Sequence, residues 1–230
     1  MIRLVLLAIL VVGVGVGIAF AGLYSQVPRY KNYWQRRAAK PMPDNALVYV
    51  AMGDSTAQGI GASSPDKGYV GLIAKALQEQ EGRPVHVINL SKSGARVQDC
   101  LREQLPQLQN LHPDVITLEI GANDMSQWDE DSFKKDMNEL LSQLPKQTVV
   151  SDIPYFGGGR KRRLEPQVLA ASRIISELAQ EYALRVAPLY QVTKEHDSVR
   201  TMTIDFLHPS NKGYQNWYAA FWQPLQTGVH

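Results

Sequence analysis

From residue 46 onward the chain alternates short apolar runs with amphipathic stretches. The runs at 47–51, 85–90, 115–120, 148–153 and 185–189 lack the strict apolar–polar alternation of a half-exposed strand. They read as strands buried on both faces. Between them, Phe133, Met137, Leu141 and Leu144 share one helical face, and Val168, Ile175, Leu178 and Tyr182 share another. Residues 68–80 predict a first helix of the domain and 212–226 a last one. Strands alternating with helices predict one α/β domain over 46–230, a three-layer α/β/α sandwich. Right-handed crossovers make it doubly wound and flavodoxin-like, around a five-stranded parallel sheet. No internal repeat and no second domain are visible.

The first 45 residues follow a different pattern. Residues 4–24 form an uncharged run of 21 residues. As a helix the run would cover about 30 Å, the thickness of a bilayer's hydrocarbon core. Residues 1–24 therefore read as a transmembrane anchor. The rival reading is a cleaved signal peptide, with Ala19-Phe20-Ala21 as its small-residue cleavage site. Gly13 and Gly17 are spaced for close helix pairing, though such pairs are common. Residues 25–45 are polar, basic and aromatic, and read as a juxtamembrane linker with Tyr30, Tyr33 and Trp34 near the lipid interface. Only Arg3 and the α-amino group precede the apolar run, while Arg29, Lys31, Arg36, Arg37 and Lys40 follow it, which would retain the domain in the cytoplasm. A short basic start followed directly by an apolar run points instead to export. The expectation is a single-pass membrane protein with an extracytoplasmic domain, or a secreted one if the segment is cleaved.

Composition narrows the function classes. At 44% hydrophobic and 20% charged, the chain can bury a full core. A net charge of +2 suggests no nucleic-acid partner. Cys100 is the only cysteine, so no intrachain disulfide forms, and no histidine has metal-ligand spacing.

Four short segments carry candidate chemistry: Gly53-Asp54-Ser55, Gly94, Gly121-Ala122-Asn123-Asp124, and Asp205-Phe206-Leu207-His208. The first three follow predicted strands, and ligands of such sheets bind at the strands' carboxyl ends. A serine hydroxyl needs a base to become a nucleophile. His208 suits that role near neutral pH, and Asp205, three residues earlier, suits orientation of its ring. Backbone N–H groups of Ser55 and Gly94 and the Asn123 amide are candidate donors to a tetrahedral oxyanion. Each segment alone is a common turn or cap; their joint occurrence in order is not. No Gly-x-Ser-x-Gly elbow is present, nor a Gly-Lys-Ser/Thr phosphate loop.

These segments resemble the SGNH, or GDSL, hydrolases. Gly53-Asp54-Ser55 is similar to the family's nucleophile block. Asn89 to Gly94 looks like the second block, Gly121 to Asp124 the Gly-x-Asn-Asp block, and Asp205 to Pro209 the Asp-x-x-His block. Thr56 stands where the name-giving motif has leucine. The resemblance implies a serine esterase with a Ser55, His208 and Asp205 triad and no cofactor. Its substrates would be deacetylase, lipase-like or lysophospholipase-like esters, on small molecules, lipids or acetylated glycans. An acyltransferase using the same site, or an inactive binding module on the same fold, are the alternatives. Trp128, Tyr155 and Arg160 are expected near the substrate, Arg160 within the cationic loop 157–163 after the fourth strand.

Overall fold

The computed structural model describes residues 2–157 and 159–226, without the side chains of 2–12 and 159–161. Five strands, β1 (Leu47–Gly53), β2 (Val85–Asn89), β3 (Val115–Glu119), β4 (Thr148–Ser151) and β5 (Arg185–Ala187), form one parallel sheet in the order β2-β1-β3-β4-β5. Tyr49 pairs with both Val87 and Val115, which places β1 beside the sheet's centre. The order changes direction around β1, and the crevice outside the carboxyl ends there is where such sheets bind ligands.

Side-chain alternation sorts the strands between two cores. Val50, Met52, Ile116 and Leu118 face helices α6 (Glu130–Ser142) and α7 (Glu165–Glu181). A broken helical run joins this layer, made of α4 (Val97–Asp99), a π turn over Cys100–Gln104 and α5 (Leu105–Leu108). Tyr49, Ala51 and Val115 face the other layer, α3 (Tyr69–Glu81) and α9 (Asn211–Gln226). Tyr69 stacks on Phe221 across that layer, with ring centroids 4.9 Å apart. Two short helices, α2 (Ser55–Gln58) and α8 (Leu189–Glu195), complete the domain.

The linker expected over 25–45 is not there. A single helix, α1 (Ile2–Ala38), runs through most of it and docks on the domain. Leu23, Tyr30 and Trp34 are buried. The Trp34 indole N–H donates to the Gln58 carbonyl at 3.0 Å, and the Tyr30 hydroxyl donates to that of Ala62 at 2.6 Å. Buried aromatic area with both polar tips satisfied makes this half of α1 part of the core. The aromatics expected at a lipid interface therefore pack on protein instead. Among the described residues no helix is long and apolar enough to cross a membrane. The expected span at 4–24 lies partly outside those residues, because the side chains of 2–12 are not described.

Candidate active site

β1 delivers the nucleophile segment to the rim. Gly53 turns the chain with a φ of 143°, and any side chain there would strike the Glu119 carbonyl. The buried Gln104 holds the turn on both sides, accepting from Gly53 N–H and donating to its carbonyl, each at 2.8 Å. Asp54 caps α2 by accepting from Thr56 N–H at 2.9 Å, which leaves Ser55 as the first residue of that helix.

Asp205 and His208 arrive on the loop between α8 and α9. Asp205 builds its own turn: one carboxylate oxygen accepts from Leu207 N–H at 2.9 Å, His208 N–H at 3.1 Å and the Thr203 hydroxyl at 2.7 Å. The other oxygen lies 2.7 Å from His208 Nδ1. The opposite ring nitrogen, Nε2, lies 3.1 Å from Ser55 Oγ. A hydroxyl, an imidazole and a carboxylate thus form one hydrogen-bonded line across 153 residues of sequence. Burial raises the Asp205 pKa, but the bonds from His208, Thr203 and the turn N–H groups outweigh it and hold the group well below the usual carboxylate range. Asp205 is thereby a fixed negative charge that selects the Nδ1-protonated tautomer and leaves Nε2 to accept a proton.

Asn123 follows β3, on a turn whose Gly121 adopts a φ of 111° against Ile153 and Phe133. Its amide donates to Asp54 Oδ2 at 2.8 Å and to the Ala95 carbonyl at 3.0 Å. Both N–H groups of the expected oxyanion donor are therefore engaged within the protein. Beneath them lies a second carboxyl, Glu119, the last residue of β3 and buried beside Asp54. The Thr56 hydroxyl bridges the two, with contacts to Asp54 Oδ1 and Glu119 Oε2. Burial pushes both carboxyls up, Glu119 well above its ordinary value because the Asp54 charge adds to the effect.

The cavity beside Ser55 is lined by Asn123, Pro154, Tyr155, Phe156, Leu207 and Trp217, among others. It encloses about 40 Å³. Tyr155 is where the sequence pattern expects it, edge-on to Tyr190 at 6.0 Å. Trp128 is not: it packs on Phe133 at 5.1 Å and faces a separate depression with Arg96 and Gln127. The turn at 121–127 carries it away from Ser55 before α6 begins. Gly94, with a φ of 79°, does not line the cavity, although the adjoining Ala95 carbonyl ties this loop to Asn123. The Arg160 side chain lies outside the described residues. The lining by Leu207 and Trp217 was missed. Trp217 is buried on α9 and lines the cavity as well. Glu119 was missed too, although a single acid closing an otherwise uncharged strand is a visible signal.

The GDSL-like lipase/acylhydrolase family matches residues 51–215. A spore germination lipase, LipC, from Bacillus licheniformis is 26% identical, with 74% of this chain and 92% of that protein covered. Among solved structures, TesA aligns with a TM-score of 0.67 at 20% identity, over 79% of this chain and 99% of that one. An acetylxylan esterase, Axe2, from Geobacillus stearothermophilus aligns with a TM-score of 0.62 at 20% identity, over 78% of this chain and 94% of that one. At such identities the two structures attest the shared three-layer fold.

Proposed function

Since the chain belongs to the GDSL-like lipase/acylhydrolase family and is an ester-hydrolysing enzyme, we propose that it works as a serine esterase through Ser55, His208 and Asp205. The observation that carries this reading is the continuous line Ser55 Oγ, His208 Nε2, His208 Nδ1, Asp205. Ser55 attacks the ester carbonyl while His208 takes its proton at Nε2. The imidazolium, stabilised by Asp205, returns that proton to the leaving alcohol as the tetrahedral adduct collapses to an acyl-enzyme. Water, deprotonated by the same nitrogen, then releases the acid and frees Ser55. Among the described residues the Ser55 N–H has no protein acceptor, which suits donation to the oxyanion. The small void beside Ser55 favours a short acyl group such as acetyl.

The test is Ser55→Ala. It should abolish hydrolysis of p-nitrophenyl acetate with an unchanged melting temperature; activity near wild type would reject the nucleophile. For the N-terminus, the 21-residue uncharged run supports a membrane tether. The short basic start supports an extracytoplasmic catalytic domain. Retention of the full chain in membranes after an alkaline carbonate wash, with protease access only from outside the cell, tests both.

A further inference from the structure

Large exposed apolar side chains are concentrated in two places. Val14, Val16, Ile18 and Tyr24 lie on α1; Val199, Ile204, Phe206 and Leu207 lie on the loop that carries Asp205 and His208. Among the described residues only Met42 and Leu169 lie elsewhere.

The two places are neighbours at the catalytic rim. α1 runs antiparallel to β2: Arg37 and Lys40 lie beside Pro84–Val87, where the strand begins, and Lys31 and Trp34 beside Ile88–Lys92, where it ends. Towards the helix's own start, Gln26 accepts from Gly61 N–H at 2.7 Å, and Leu23 packs with Ile60. The helix therefore leaves the domain at the carboxyl ends of the strands, on the side of Ser55. The segment that holds it also holds the catalytic loop. A Cβ on Gly61 would sit 2.3 Å from the Pro209 carbonyl and 3.1 Å from His208 Cβ, and Ser63 N–H donates to Asn211 Oδ1 at 2.8 Å. One stretch of chain separates the emerging helix from the loop.

Beyond Leu23 the helix continues for another 21 residues, Ile2 to Gly22, or about 31 Å at 1.5 Å per residue. Residues 13–19 are exposed on every face, so nothing described in this chain covers them. A helix apolar all round calls for lipid rather than water. Arg29 and Lys31 at the rim, and Arg200 in the loop, are exposed cations within reach of anionic head groups.

We propose that the catalytic rim faces the bilayer that α1 enters, with the Val199–Leu207 loop resting in its interface, so that the enzyme draws short-acyl esters of membrane amphiphiles from the lipid surface. The inference rests on the esterase reading above for its substrate and on geometry alone for its orientation. Leu207 links the two, since it is both exposed at the rim and part of the cavity wall.

Orientation is tested without turnover. The full chain is reconstituted in vesicles of three parts phosphatidylcholine to one part phosphatidylglycerol, with a spin label at Phe206→Cys or, at the opposite end of the sheet, Met42→Cys. The label at 206 should collide more with oxygen than with a water-soluble nickel chelate, and the label at 42 the reverse. An aqueous signature at both positions overturns the proposal even if the enzyme is an active esterase. The substrate claim is tested with Val199→Ser/Ile204→Ser, both exposed on the loop and outside the Asp205–His208 turn. The double variant should keep p-nitrophenyl acetate hydrolysis and lose about tenfold on 1,2-dioleoyl-3-acetylglycerol in the vesicles. No loss, or an equal loss on both esters, overturns it.

Discussion

Asn123 is the residue whose resting state departs most from its expected role. Both of its amide N–H groups already have acceptors, Asp54 and the Ala95 carbonyl. To meet a developing oxyanion, one must let go. The bond to the Ala95 carbonyl is the longer, 3.0 Å against 2.8 Å to Asp54. On the proposed mechanism the N–H on Ala95 would therefore turn toward substrate, with Asp54 as the fixed end. Asn123→Ala should then lower kcat by about 100–1000-fold, the range for losing one oxyanion donor. It should also lower the melting temperature, because Asp54 would be left with one donor fewer in a buried site. A kinetic loss with no thermal loss would show that Asp54 does not depend on this amide.

The helix α1 shows what was and was not legible in the sequence. The five-stranded parallel sheet, the sandwich and three of the four segments of the site follow from apolar runs and short motifs, because buried parallel strands and tight turns restrict residue type strongly. Docking of a helix onto a finished sheet restricts it weakly. Leu23, Val27, Tyr30 and Trp34 do recur at helical spacing, and all four pack against the domain. Their mixture with Arg29, Lys31, Arg36 and Arg37 reads as an interfacial linker instead. Trp128 was misplaced for a related reason: distance along the chain after β3 says nothing of which way a turn exits. A fragment starting at Asp44 should therefore be less stable than one starting at Gly22. Trp34 alone, removed from a buried position, is worth about 3–5 kcal/mol. Urea midpoints of the two fragments measure it; equal midpoints would mean that α1 rests on the domain without contributing to its stability.

Titrating groups pull the stability of the whole molecule in two directions. Asp205 is held low, so its contribution is present above the unfolded carboxylate pKa of about 3.9 and is lost as pH falls through the lower folded value. Asp124 and Asp152 behave oppositely. Burial raises each to about 6, so the folded protein keeps protons that the unfolded chain has released, and stability falls as pH rises from about 4 to 6. Glu119, raised well above its ordinary value by burial and the Asp54 charge, adds to that decline. The melting temperature should accordingly peak in mildly acid solution. Glu119→Gln isolates the effect. It keeps an N–H to share with Asp54 and removes the proton that must be lost, so it should flatten the alkaline decline in melting temperature and leave the acid limb set by Asp205 in place. Parallel pH profiles in variant and wild type would place the decline on Asp54, Asp124 and Asp152 instead.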